Sequence, residues 1–301
     1  MKVLISGASG LVGQALSRSL QEDGHTVARL LRPGGARSSP GDVSWDPMAA
    51  TVDVSAMEGA DAVVHLSGAN MAGGRWTAAR KAVLRSSRIS STRVLVDTLA
   101  GLRQKPRVFV CASAIGYYGN RGDEVLTESS EWGTGFVALL VRDWEAEARR
   151  AELAGIRTVL LRFGVILSSQ GGALPRMLTP FKYGAGGRLG SGSQWMSWIT
   201  LQDAVEIARW AIASDQVSGP LNVVAPNPVR NSQFTRAVAA TLHRPAVLSA
   251  PAFALRVVLG EMADLLLASQ RVIPERLTAI GYKFRFANLD DALPSILERE
   301  R

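Results

Sequence analysis

Lys2-Val3-Leu4-Ile5-Ser6-Gly7-Ala8-Ser9-Gly10-Leu11-Val12-Gly13 is the stretch that decides the fold of this 301-residue chain. Lys2 to Ser6 reads as a buried strand. Leu11 to Asp23 reads as a helix, with Leu11, Val12, Ala15, Leu16 and Leu20 on one side. Between them lies a glycine turn, and this strand–turn–helix context is what gives three glycines meaning. The first glycine permits the tight turn, the second lets backbone approach a pyrophosphate, and the third lets helix and strand pack closely. The helix N-terminus then offers free N–H groups and a positive dipole end. Gly7, Ser9, Gly10, Leu11, Val12 and Gly13 are therefore expected to hold the phosphates of a dinucleotide. A glycine turn without a ligand is the competing reading.

Thr26 to Leu31 is the next strand. Its end normally carries an acid that holds the adenosine ribose of NAD. Here the run is Arg29-Leu30-Leu31-Arg32, so Leu31 and then Arg32 stand where the acid is expected. A guanidinium pairs bidentately with a 2′-phosphate, which a carboxylate would repel. The cofactor expected is NADP(H); the bland alternative makes Arg32 a surface charge.

Further out, the pattern repeats. Short apolar runs at 43–46, 62–66, 107–112 and 158–162 read as strands, and 77–102 and 136–154 as helices. Strand–helix alternation implies an α/β fold, a doubly wound parallel sheet of the Rossmann type with helices on both faces. After Gly164 the texture changes: 171–192 is rich in glycine and proline, 195–201 looks like a strand, 203–213 like a helix, and 220–225 like a last sheet run. From Asn231 onward the chain reads as mostly helical, broken at Pro245, Pro251 and Pro274. The expected organisation is a dinucleotide-binding domain from 1–170 and 196–226, with a smaller, mostly helical lobe on the substrate side from 171–195 and 227–301.

Composition narrows the partners. With 47% hydrophobic residues the chain can bury a large core, and the 20% of charged residues are spread evenly. The net charge of +8 favours anionic ligands. The basic stretch from Arg75 to Arg93 lacks any zinc-finger or aromatic RNA-binding signature, so nucleic acid is not the expected partner. No apolar run reaches the ~18 residues that span a bilayer, and Val3-Leu4-Ile5 runs straight into the glycine turn, unlike a signal peptide. Cys111, the single cysteine, lies in an apolar strand, which fits a reducing compartment. A cytoplasmic protein is expected. His25, His65 and His243 have no metal-ligand spacing, and no metal is expected.

The GxxGxxG spacing belongs to short-chain dehydrogenases of the extended type. Four further stretches carry a closer likeness: 61–68, 113–119, 197–203 and 221–226. Together they resemble the atypical extended short-chain dehydrogenases known as epimerase family proteins, within the NAD(P)-dependent epimerase/dehydratase superfamily. The likeness includes the tail, where Gln270-Arg271-Val272-Ile273-Pro274 and Gly281-Tyr282 are similar to that group's C-terminal domain of unknown function. The resemblance implies a cofactor across the C-terminal edge of the sheet, with Leu66, Ser67 and Gly68 at the adenosine part, Arg88 reaching it from the long helix, and Val165 near the nicotinamide. It also implies that the long helices can pair two copies as a homodimer.

Enzymes of this type use Ser/Thr, Tyr and Lys. The tyrosine exchanges a proton with the substrate oxygen, and the lysine lowers its pKa from an ordinary value of about 10. Ser113 fits the serine position. The YxxxK motif belongs near Gly135-Phe136-Val137-Ala138-Leu139-Leu140, where Phe136 replaces tyrosine and Leu140 replaces lysine. Tyr117 is the favoured substitute proton donor, with Tyr118, Glu128 and Asp143 as others. Three readings stay open: an oxidoreductase or epimerase-like enzyme acting on a small, anionic molecule, an NADP(H)-binding redox sensor, and a scaffold for a protein partner. The glycine-rich run 184–192, with Lys182 and Arg188, is expected to cover the substrate, and Trp195 and Trp198 either stack on it or pack in the core.

Overall fold

The computed structural model describes residues 1–34 and 41–297. Among these, the strands up to residue 167 are, in chain order, β1 (Lys2–Ser6), β2 (Thr26–Leu31), β3 (Val43–Asp46), β4 (Thr51–Val52), β5 (Ala62–His65), β6 (Val108–Ala114), β7 (Val125–Leu126), β8 (Arg157–Phe163) and β9 (Val165–Leu167). The helices α1 (Leu11–Glu22), α2 (Val54–Met57), α3 (Ala78–Arg85), α4 (Ser91–Gly101) and α5 (Phe136–Arg149) lie between them. The central sheet runs Gly219–Val223, β8, β6, β5, β1, β2, β3, β4. All its pairings are parallel except β3 with β4.

The two-residue period of β1 shows why the sheet is doubly covered. Val3 and Ile5 point into a core that holds Leu16 and Leu20 of α1 and Ile207, Ala208 and Ala211 of helix Leu201–Ala213. Leu4, between them, points into the opposite core with Leu95 and Leu99 of α4 and Trp144 and Ala148 of α5. A strand buried on both faces reads as a continuous apolar run, as this one does. From β1 the chain steps to β2 on one side, and later to β5 on the other. This reversal leaves a crevice at the C-terminal ends of β1 and β5, where ligands of such sheets bind.

A third core draws together Leu174, Leu178 and Phe181 of helix Leu174–Lys182, Phe234 and Val238 of helix Asn231–Leu242, and Leu289 and Leu293 of helix Leu289–Leu297. It joins the glycine-rich stretch to the C-terminal quarter and includes Leu167, Trp198 and Ala225.

Three local readings change. The helix expected over 77–102 is interrupted by a π-helical turn at Ser86–Ser90 between α3 and α4. Serine hydroxyls compete there for the backbone: Ser87 Oγ donates to Leu84 O at 3.2 Å, and Ser91 Oγ to Ser87 O at 2.8 Å. The strand expected over 195–201 divides into Trp195–Met196 and Trp198–Thr200 around Ser197, whose hydroxyl bonds the backbone of Gln270 and Val272. Finally, the glycine-rich run 184–192 contains a strand, Gly187–Leu189, which pairs in parallel with Leu248–Ala250. A Cβ on Gly187 would collide with the Leu248 carbonyl, so glycine there serves close strand approach.

Candidate functional site

The glycine turn closes on the start of β5's following loop. Gly7 has φ +71°, and a Cβ on it would stand 2.7 Å from the Leu66 carbonyl carbon. A Cβ on Gly13 would lie 2.8 Å from Ala8 Cα and closer still to the Gly7 carbonyl oxygen. Gly10, with a nearest approach of 3.3 Å, is less confined and caps α1 without a side chain. No acid occupies the first turn of α1. A helix N-terminus left uncapped at the crevice is a site for phosphate. By the β1–β2 register, Leu31 and the exposed Arg32 lie beside this turn. Arg29, by contrast, points at Asp42, which it pairs at 2.5 Å.

A cavity of about 570 Å³ opens from the same edge. Leu66, Ser67, Gly68, Arg88, Ser113 and Val165, all read from the sequence, line it. The π-helical turn delivers Arg88, whose guanidinium packs against Gly68 and lies 5.4 Å over the Trp144 ring. Its hydrogen bonds are long, 3.4 Å to Leu84 O and 3.5 Å to Ser87 Oγ, and among the described residues no carboxylate pairs with it. Burial, with Arg80 second, pushes its pKa down to about 10. A half-buried cation without a counter-charge is costly, and an anionic ligand relieves that cost.

Beneath Arg88, His65 is fully buried. Its Nδ1 shares a 2.6 Å hydrogen bond with Ser6 Oγ. Burial first, and Arg88 second, lower its pKa to about 3, so the ring is neutral and structural.

Ser113, next to last in β6, lies at the cavity, and its hydroxyl donates to Glu145 Oε1 at 2.5 Å. Glu145 projects from α5 and is clamped by Arg162 of β8, with Nε on Oε1 and Nη2 on Oε2, both 2.8 Å. Arg162 Nη1 also donates to the Tyr118 hydroxyl at 2.9 Å, which in turn donates to Asn222 Oδ1 at 2.7 Å. Burial opposes the charge on Arg162, but the pull of Glu145 outweighs it and raises its pKa further. Burial pushes the Tyr118 hydroxyl up to about 12. This chain of charged and polar groups, Ser113, Glu145, Arg162, Tyr118 and Asn222, is at most 4% exposed and was not foreseen as a unit. Its signal was present: an arginine ending the apolar run Val159-Leu160-Leu161 demands a buried anion.

Tyr117 does not line the cavity. Its ring supports the Arg162 guanidinium at 3.6 Å, and it stacks edge-on against Tyr118 at 5.4 Å. Glu128 accepts the Asn222 N–H, and Asp143 pairs with Arg85 and Arg142, so both face away from it. Phe136 and Leu140, standing where tyrosine and lysine were expected, form an apolar wall with Trp76, whose ring meets Phe136 at 5.3 Å. The far wall comes from 256–270, including Arg256, Glu261, Asp264, Leu265 and Gln270. No residue of 184–192 reaches the cavity. Trp198 is core, and Trp195 sits between Arg230 and Arg271 at 4.6 and 4.7 Å.

Among the described residues, no cluster of three or more His, Cys, Asp or Glu is placed to hold a metal, and no helix is long and apolar enough to cross a membrane.

Comparison with known proteins bears on this geometry. Residues 3–224 match the model of the NAD dependent epimerase/dehydratase family, and 250–296 match a domain of unknown function, DUF1731. The chain is 44% identical over 292 residues to epimerase family protein Mb2239 of Mycobacterium bovis, covering 97% of this chain and 96% of the relative. It is 37% identical over 302 residues to epimerase family protein YfhF of Bacillus subtilis, covering 99% and 98%. The crystal structure of human epimerase family protein SDR39U1 (isoform 2) with NADPH superposes with a TM-score of 0.89 at 34% identity, covering 99% of both chains.

Proposed function

The chain belongs to the NAD dependent epimerase/dehydratase family, and from that premise we propose that it binds NADP(H) along the C-terminal edge of the sheet and uses it on a small molecule seated in the adjoining cavity. The observation that carries this reading is the turn at Gly7–Gly13. Two of its glycines have no room for a Cβ, it leads into an uncapped helix, and it abuts Leu66 at the mouth of the cavity.

The residues suit the phosphorylated cofactor. The N–H groups at the start of α1 would take the pyrophosphate. Arg32 would take the 2′-phosphate as a bidentate donor. Arg88 would meet negative charge beyond Ser67 and Gly68, and Val165 would bound the nicotinamide end. The human relative that carries NADPH supports the same preference. When bound, the nicotinamide supplies or accepts hydride.

Protein groups must orient the substrate and hold water out. The wall of Phe136, Leu140, Trp76 and Trp144 does the latter. Ser113 is the polar group at the reacting end. The far wall, 256–270, selects the substrate; its Arg256 pairs with Asp264 and stands with Glu261, which leaves Arg88 as the cation that suits an anionic one. The tyrosine–lysine pair has no counterpart in the cavity, and Tyr117 is spent on Arg162. That absence favours a second reading, in which NADP(H) is bound without chemistry as a redox signal.

A paired titration with NADPH and NADH, followed by nicotinamide fluorescence and thermal stability, tests the proposal. Preferential NADPH binding is expected; failure to bind either refutes it. Substrate-dependent oxidation of NADPH then separates the enzyme from the sensor.

A further inference from the structure

Ser113 has one hydroxyl proton, and it is committed. Glu145 accepts two hydrogen bonds from Arg162, one on each oxygen, and is therefore ionised and an acceptor only. The 2.5 Å contact from Ser113 Oγ to Glu145 Oε1 must then use the serine's proton. What remains on Oγ for the cavity is a pair of lone pairs. This is the reverse of a serine that donates to a substrate carbonyl.

Gln270, across the cavity, has the same polarity. Its Nε2 donates to Ile115 O and Gly119 O, each at 3.0 Å, which fixes the amide's orientation. Its Oε1 makes no hydrogen bond among the described residues and is left as an acceptor. The two residues reach this state by unrelated contacts, one through a buried ion pair and one through backbone carbonyls.

We propose that Glu145 is a positioning residue, which fixes Ser113 as a hydrogen-bond acceptor, so that the reacting end of the cavity takes a ligand hydroxyl in preference to a carbonyl. The inference rests on the reading of this cavity as the substrate site. It assigns the bound partner of Ser113 to the alcohol class. A carbonyl oxygen at the same place would face Oγ lone pair to lone pair. With one hydrogen bond exchanged for one repulsion, the alcohol is favoured by about fivefold to tenfold.

The probes are cyclohexanol and cyclohexanone, matched in shape and differing in donor capacity. Their binding to the full-length protein is measured by ligand-observed NMR titration, first without cofactor. It is repeated with NADPH for the alcohol and NADP+ for the ketone, pairings in which no hydride can move. The carbonyl stretch of bound ¹³C-labelled ketone is recorded by infrared difference spectroscopy. The wild-type protein should bind the alcohol about fivefold to tenfold tighter and leave the ketone stretch unshifted to the red. Ser113→Ala should bring the ratio to about one. Glu145→Leu removes the acceptor and should free the serine proton, raise ketone affinity and shift the carbonyl stretch to the red, an effect that mere structural support would not produce. If Glu145→Leu does not fold with Arg162 unpaired, Ser113→Ala carries the test alone. Alcohol binding no tighter than ketone binding, including absence of both, overturns the proposal, as does a red-shifted ketone in the wild-type protein. Failure of NADPH to bind would refute the cofactor reading and still leave the cofactor-free arm to decide this one.

Discussion

Two alanines, one turn apart, separate the two jobs of the glycine turn. At Gly13 an added Cβ would stand 2.8 Å from Ala8 Cα and nearer still to the Gly7 carbonyl oxygen. Both are backbone atoms with no rotamer to yield, so α1 must move off β1. Its Leu16 and Leu20 lie in the core with Val3 and Ile5, and they would be displaced with it. Overpacking of this kind costs about 1–3 kcal/mol, which for a chain of this size lowers Tm by roughly 2–10 °C. At Gly10 the nearest approach is 3.3 Å and φ is −78°, which any residue adopts. Gly10→Ala should therefore cost under about 1 kcal/mol, chiefly the loss of glycine at an N-cap. Its methyl group, however, would stand where a pyrophosphate comes closest to backbone. Differential scanning fluorimetry and energy transfer from Trp76 and Trp144, both at the cavity, to the nicotinamide of NADPH provide the two readouts. The expected pattern is a stable Gly10→Ala protein with NADPH affinity down by about tenfold or more, and a Gly13→Ala protein weakened in both. A Gly13→Ala protein with unchanged Tm would refute the close packing of α1 on β1. Full NADPH affinity in Gly10→Ala would mean that no phosphate crosses this turn.

Arg32→Asp places a carboxylate beside a 2′-phosphate, and the NADPH/NADH affinity ratio should fall by about tenfold to a hundredfold; an unchanged ratio in paired titrations would show Arg32 to be only a surface charge. Arg88→Met removes a half-buried cation that lacks a carboxylate partner among the described residues, so urea unfolding should show equal or greater stability while NADPH affinity drops about tenfold to a hundredfold; loss of stability without loss of affinity would make Arg88 structural. His65, neutral in the fold down to about pH 3, binds a proton near pH 6.5 once unfolded. Its contribution is complete above about pH 7 and drains as pH falls, by about 2 kcal/mol at pH 5. Urea titrations at pH 7 and pH 5 should show that part of the loss absent from His65→Gln, and an identical loss in both proteins would exclude His65 as its source.

How far the sequence could be read follows from the range of the interactions. The turn at Gly7–Gly13 and the end of β2 at Leu31 and Arg32 were legible because strand, turn and helix signals there lie within a few residues of each other. The π-helical turn was not, although Ser86, Ser87, Ser90 and Ser91 marked it. Hydroxyl bonds to the backbone win over a regular helix only where the surroundings hold the distortion, here with Arg88 turned toward the cavity. Glycines at 184–192 suggested a mobile cover, yet Gly187–Leu189 is pinned by Leu248–Ala250, a partner some 60 residues away that no local pattern announces. The far wall at 256–270 was missed for the same reason: its place depends on how the C-terminal lobe folds back.

The buried network also explains why Phe136 and Leu140 fit where tyrosine and lysine were expected. Leu140 is almost fully buried, in the same cavity wall as the uncompensated cation Arg88. A lysine at 140 would put a buried positive charge beside it. The nearby carboxylate, Glu145, already has both oxygens taken by Arg162 and one shared with Ser113, while Glu261 and Asp264 on the far wall pair with Lys81 and Arg256. Without that lysine a tyrosine at 136 would keep its ordinary pKa near 10 and gain nothing as a base at neutral pH. Phe136 instead packs edge-on against Trp76 and under the Lys81 ammonium at 5.1 Å. The three positions are thus coupled. With Glu145 committed to Arg162, an apolar 140 follows, and with an apolar 140 a phenol at 136 has no function. The polar chemistry of this wall has been gathered into Ser113, behind which the ion pair stands.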